Sequence, residues 1–191
     1  HGNSLLCSEM FPAWFMGRHP DKYIICATYA QDLADDFGRK VRNNMQSAEH
    51  RRFFPNSILR SDSSSAQRFH TEAGGVYYAV GVGGALTGRG AHVLLVDDPL
   101  KGREDADSER KRKTLQDWYN SVAYTRLMPG GAVIVIQTRW HDDDLAGWLL
   151  TEHAHEEWET LVLPAIDSDG KALWPGQYPI DVLTHIKRTI G

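Results

Sequence analysis

The chain has 191 residues, a formal net charge of −4 and 41% apolar residues, enough for one domain with a sizeable core and at most a small appendage. That charge excludes a general electrostatic pull toward nucleic acid or membrane, so any DNA contact needs a local patch. No apolar run approaches the roughly 20 residues of a membrane helix, no signal peptide is visible, and the two cysteines, Cys7 and Cys26, suit small buried hydrophobes in a reducing cytoplasm rather than a disulfide framework.

The first predicted element is a helix from Ser4 to Gly17, with Leu5, Leu6, Met10, Phe11 and Trp14 at helical spacing and Pro12 bending it. Lys22 to Thr28 is a near-continuous apolar run, the pattern of a buried parallel strand. Gln31 to Met45 reads as an amphipathic helix. Arg52 to Ala73 is less regular, with a serine-rich turn at Ser61 to Ser65. Val76 to Val80 reads as an exposed strand, and Gly81 to Gly90 as a glycine-rich loop. His92 to Val96 is a second buried strand, Asp105 to Leu127 a long polar helix, and Pro129-Gly130 a turn. Ala132 to Gln137 is a third buried strand, Asp142 to His153 a helix, and Leu161 to Leu163 a short fourth strand. Strands alternating with helices imply an α/β fold built on a parallel sheet. Ligands of such sheets sit at the carboxyl ends of the strands.

Three places carry candidate chemistry. The strand Val93-Leu94-Leu95-Val96 delivers Asp97 and Asp98 at its carboxyl end. In phosphate-loop ATPases such a strand puts one carboxylate on magnesium and the next near the attacking water; a plain Asp-Asp-Pro turn is the competing reading. Thr138 follows the third strand, where a polar residue can sense the γ-phosphate or its water, or cap the next helix. Gly2-Asn3-Ser4 aligns with the Gly-Lys-Ser end of a phosphate loop, ahead of a helix whose N-terminus suits phosphate. The chain ends read as cut: His1 begins inside a motif and Ile190-Gly191 close an amphipathic segment without a tail, so a fragment is expected.

Arg39, Lys40, Arg42, Arg51 and Arg52 form a local basic stretch that suits either DNA backbone contact or, more simply, a solvated helix face. Glu104 to Lys113 reads as an exposed helix with local charge pairs.

The order of these blocks is specific. Gly88-Arg89-Gly90, Val93 to Pro99, Arg103 to Glu109, Tyr124 to Ala132 and Gln137 to Gly147 together resemble the large terminase subunit of tailed phages, as do Ala27 to Arg39, Leu163 to Ile166 and Leu173-Trp174-Pro175. The resemblance implies a fold of the P-loop NTPase kind (ASCE, RecA-like) spanning residues 1–191 as a single ATPase domain truncated at its N-terminus. Residues from about 160 to 191 would form a linker toward an absent nuclease domain. It further implies ATP and Mg2+ as cofactors, with Gly2, Asn3 and Ser4 on the phosphates, Ser4 and Asp97 on the metal, Asp98 as the catalytic carboxylate, Thr138 in the coupling motif and Arg89 as an arginine finger. A loop arginine paired with a carboxylate is the bland alternative for Arg89. The implied function is the ATPase core of the motor that drives double-stranded DNA into the capsid. Its implied partners are the portal protein, the small terminase subunit and further copies in a ring, in the host cytoplasm and without a membrane. Asn3 in place of the phosphate-loop lysine and the truncation support an alternative, a catalytically impaired remnant, whereas Asp97, Asp98 and Thr138 support the enzyme, although Asp98 is one methylene shorter than the usual glutamate.

Overall fold

In the computed structural model of the chain, residues 2–86, 88 and 90–190 are described. The chain divides into two compact units, His1–His153 and Ala154–Gly191. The larger one is an α/β unit, with helices flanking a six-stranded, mostly parallel sheet in the order β2-β3-β4-β1-β5-β6. The strands are β1 (Tyr23–Thr28), β2 (Leu59–Ser64), β3 (Arg68–Thr71), β4 (Val76–Gly81), β5 (Ala91–Asp97) and β6 (Leu127–Ile136). β4, β1, β5 and β6 are parallel to one another, and β2 and β3 add an antiparallel extension beside β4.

Both faces of β1 are covered, which explains its unbroken apolar run. Ile24 and Cys26 join one core with Ala13 and Met16, while Ile25 and Ala27 are equally buried. Complete burial pushes the Cys26 thiol up to about 12, so it behaves as a hydrophobe. Helix α2 (Gln31–Met45) has the expected bounds, and its Ala34, Phe37, Val41 and Met45 form the stripe that faces this core. The larger three of these side chains contribute about 1.5–3 kcal/mol each on full burial. β5 lies between β1 and β6, with Val93, Leu94, Leu95 and Val96 at most 3% exposed.

Several expected elements differ. Ser61 to Ser64 lie in strand β2, not in a turn. β2 and β3 form a hairpin held by backbone pairing and by the contact of the Ser63 hydroxyl with His70 across it. β4 is interior rather than exposed, because β3 covers its second edge. The long polar helix is broken at Ser108, whose extended backbone (ψ 106°) ends α4 (Arg103–Asp107) and whose hydroxyl caps α5 (Glu109–Trp118) by accepting from the Lys111 amide. The chain then continues through a widened turn, Tyr119–Ala123, and a tight one, Tyr124–Arg126. Pro129 and Gly130 lie within β6 instead of preceding it. The register passes from Ala91↔Leu127 to Val93↔Ala132, so β6 bulges there, and as the outermost strand it tolerates a proline without an N–H. β6 is also only half-buried, unlike the expected third buried strand.

In the first helix the widened, π-type turn Leu5–Met10 precedes α1 (Phe11–Arg18). Its hydrogen bond runs from the Phe11 amide back to Leu6, and Pro12 has no amide to offer the Ser8 carbonyl. Of the basic stretch, Arg39 pairs with Asp36, Lys40 reaches Glu9 across to the first helix at 2.6 Å, Arg42 donates to the Ser64 carbonyl, and Arg51 and Arg52 are exposed on α3 (Ala48–Phe53).

The shorter unit carries a bridge between Ile166 and Ala172 around a turn in which the Asp167 carboxylate accepts from the Asp169 and Lys171 amides. Helix α7 (Ile180–Ile190) follows. Leu161, Val162 and Leu163 are exposed and lie outside any strand, not in the expected one.

Candidate functional site

The parallel strands end level with one another. Thr28 is in register with both Gly81 and Asp97, and Asp97 with Ile136. Asp97 closes β5, and Thr138 lies two residues beyond the end of β6, so both stand on the same carboxyl edge of the sheet. A cleft of about 330 Å³, lined by Tyr29, Val82, Pro99, Leu100, Arg110 and Leu115, adjoins the same strand ends.

Asp97 is 1% exposed. Its Oδ1 accepts from the Ser4 hydroxyl at 3.2 Å and its Oδ2 from the Ser8 hydroxyl at 2.5 Å. Among the described residues no basic side chain pairs with it. Burial raises its pKa above the ordinary carboxylate value. The two serine hydroxyls pull the other way, and the charges of Asp98 and Glu9 add to the rise. Ser4 is thus placed beside Asp97 by contact. Gly2 and Asn3 are exposed at the start of the same helix. Gly2 has φ 93°, backbone that glycine adopts without strain.

Asp98 has φ 42°, a left-handed conformation uncommon outside glycine and costly to maintain. Three contacts hold it there. Its amide donates to the Ile136 carbonyl at 2.8 Å, its carbonyl accepts from the Tyr29 amide at 3.2 Å, and its carboxylate Oδ1 accepts from the Thr138 amide at 3.1 Å. The ends of β1, β5 and β6 are thereby stitched through one residue. Thr138 meets Asp98 by its backbone, and its side chain is exposed.

Thr138 does not cap the next helix; Asp144 does. Asp144 is 1% exposed and caps α6 (Leu145–Glu152) by accepting from the Gly147 amide at 3.1 Å. The same carboxylate receives the Trp140 amide at 3.1 Å and the Arg139 guanidinium at 2.8 Å. Arg112 on α5 pairs with Asp143 at 3.1 Å. The segment between Thr138 and α6 is therefore a wired loop. It closes on Gly147, where an added Cβ would lie 1.8 Å from the Asp142 carbonyl oxygen. Gly147→Ala is expected to destabilise the chain by about 2–4 kcal/mol, since a backbone atom must move. Thermal unfolding checks this; an unchanged midpoint would show that the loop yields freely.

The spacing of residues four apart on a helix would have found Ser8 beside Ser4. An aspartate just ahead of an apolar helix would have found Asp144. Arg89 lies outside the described residues. The donor set at Asp97 is hydroxyl and carboxylate oxygen only, which fits a hard cation such as magnesium and not a soft one.

Against known families, residues 1–178 match the model described as terminase large subunit, T4likevirus-type, N-terminal. No curated protein matches the chain.

Proposed function

We propose that this chain, which belongs to the terminase large subunit family as its T4-like N-terminal domain, is the ATPase core of a motor that drives double-stranded DNA into a phage capsid. The family itself belongs to phage DNA packaging. The observation that carries the finer reading is the Ser4 hydroxyl on Asp97, a helix-start serine meeting a strand-end carboxylate that is otherwise buried without a cation.

In this reading Gly2, Asn3 and Ser4 receive the phosphates of ATP, and Ser4 and Asp97 hold Mg2+. The ion, when bound, neutralises charge developing on the phosphates. Asp98 orients the attacking water and accepts its proton. In the structure the Asp98 carboxylate is occupied by the Thr138 amide. That bond takes Oδ1 and ties the carboxylate to the end of β6, which leaves Oδ2 to meet water. The link continues through Arg139 and Asp144 into α6. Arg89 would supply a guanidinium to the phosphates of a neighbouring copy in a ring seated on a portal protein. The small terminase subunit would deliver DNA in the host cytoplasm.

A second reading, a remnant that binds partners without turnover, is favoured by Asn3. The lysine of a phosphate loop supplies a positive charge there that asparagine cannot. One pair of measurements separates the two. For the motor reading, a fluorescent ATP analogue binds more tightly with Mg2+ than with EDTA, and the chain releases phosphate from ATP. Asp98→Asn keeps that affinity within about threefold and lowers phosphate release at least tenfold, a barrier change of about 1.4 kcal/mol or more. Binding without any phosphate release supports the remnant. Binding indifferent to EDTA, with no phosphate release, sinks the motor reading.

A further inference from the structure

We infer that Ser8 is a positioning residue for the magnesium site, holding Asp97 Oδ2 so that the carboxylate presents Oδ1 beside the Ser4 hydroxyl. This rests on the reading of Ser4 and Asp97 as metal ligands. The two serines stand one turn apart on the first helix and divide the carboxylate between them, Ser8 at 2.5 Å on one oxygen and Ser4 at 3.2 Å on the other. Their surroundings differ. Ser8 is 0% exposed, while Ser4 is half-buried at the helix start. A hydroxyl that coordinates a cation turns its lone pair to the ion, and Ser4 can do so from its more open position. Ser8 is enclosed and stays on Asp97, the one hydroxyl partner that persists through binding.

The terminal torsion of an aspartate is broad and roughly two-fold, so a carboxylate without a fixed partner swings. Among the described residues Asp97 has no guanidinium or ammonium to hold it, and the side chains that donate to it are Ser4 and Ser8. Fixing one oxygen therefore falls to Ser8. Its place is secured by the widened turn Leu5–Met10, in which the Phe11 amide bonds to Leu6. Such turns occur frequently at functional sites. Removing a partner that orients a metal ligand typically costs 10–100-fold in metal affinity.

Mn2+ in place of Mg2+ gives a direct readout, because free Mn2+ is counted by electron paramagnetic resonance. The titration is run on this chain with a non-hydrolysable ATP analogue. Ser8→Ala is expected to raise the Mn2+ dissociation constant about tenfold and to leave affinity for the analogue in EDTA within about twofold of the parent. Ser8→Cys, close in shape with a weak donor, should fall between; it decides the matter if Ser8→Ala does not fold. Equal losses of Mn2+ and analogue affinity would mean that Ser8 serves only the fold, and would overturn the inference. Unchanged Mn2+ affinity in Ser8→Ala, with weakened affinity in Asp97→Asn, would overturn it and leave Asp97 as a ligand. Unchanged affinity in Asp97→Asn would remove the metal site itself, and the role of Ser8 with it.

Discussion

Replacing Asp97 by asparagine raises the melting temperature of the ligand-free protein near neutral pH and removes Mg2+-dependent nucleotide binding and turnover. The two effects share one cause. Asp97 is 1% exposed, receives two hydroxyls and, among the described residues, no cation, and has Asp98 and Glu9 as negative neighbours. A carboxylate placed so is more costly ionised in the folded chain than in the unfolded one, and its folded pKa is raised. The sign follows. Below the ordinary carboxylate value both states are protonated and there is no penalty. As pH rises through that value toward the raised native one, the unfolded chain ionises first and stability falls. Above both, the penalty is complete. Asparagine does not titrate, and a rotating serine hydroxyl can accept from its amide. The gain in melting temperature from Asp97→Asn should therefore grow from acid to neutral pH and then level off. Each kcal/mol appears as about 2–4 °C in a chain of this size. Loss of a magnesium ligand should lower turnover at least a hundredfold, about 2.7 kcal/mol. Thermal melts across pH and nucleotide titrations with and without Mg2+ check both arms. A lower melting temperature at neutral pH would show that the Asp97 charge supports the fold. An unchanged Mg2+ dependence would show that it holds no metal.

The parts of this site readable in the sequence are those where burial imposes a pattern. β1 and β5 are covered on both faces, so their residues must be apolar throughout, and the polar residue that ends the run stands out as Asp97. Helix α2 faces one core, so its periodicity gave its bounds. The hairpin of β2 and β3 was hidden because β2 is mostly exposed and its serines carry no apolar alternation; backbone pairing holds it. The break at Ser108 was hidden in the same way, since a polar surface helix gives no periodicity to interrupt. Pro129 and Gly130 are ordinary turn residues and lie in a strand only because β6 bulges at an outer edge. The bond from the Thr138 amide to the Asp98 carboxylate spans 40 positions and its donor is a backbone group, which no side-chain pattern reports. Ser8 differs, because a serine four residues after Ser4 was visible, and only the widened turn that seats it was not.

Asn3→Lys is expected to raise ATP turnover at least tenfold and to tighten binding of Mg2+-ATP, with little change in stability. Asn3 is exposed, helical, and adjacent to Ser4, whose hydroxyl meets Asp97. A lysine there adds a compact charge on a flexible four-carbon arm at the place where the phosphates of the nucleotide are proposed to lie. One preorganised electrostatic contact to a developing negative charge is worth about 3–4 kcal/mol in other enzymes. A tenfold gain requires about 1.4 kcal/mol, so the expectation allows for a lysine that is only partly held. The fold has little to lose, since surface substitutions stay within about 0.5 kcal/mol and a cation near a helix N-terminus costs about 0.3–1 kcal/mol. Asn3→Ala supplies the control. If the asparagine amide already serves the phosphates, alanine lowers turnover below the parent. If position 3 is merely missing a charge, alanine equals the parent while lysine exceeds both. Phosphate release from the three proteins, measured at saturating Mg2+-ATP, decides between these. A lysine variant no faster than the parent would place the phosphates away from Asn3 and would undo the alignment of Gly2-Asn3-Ser4 with a phosphate loop.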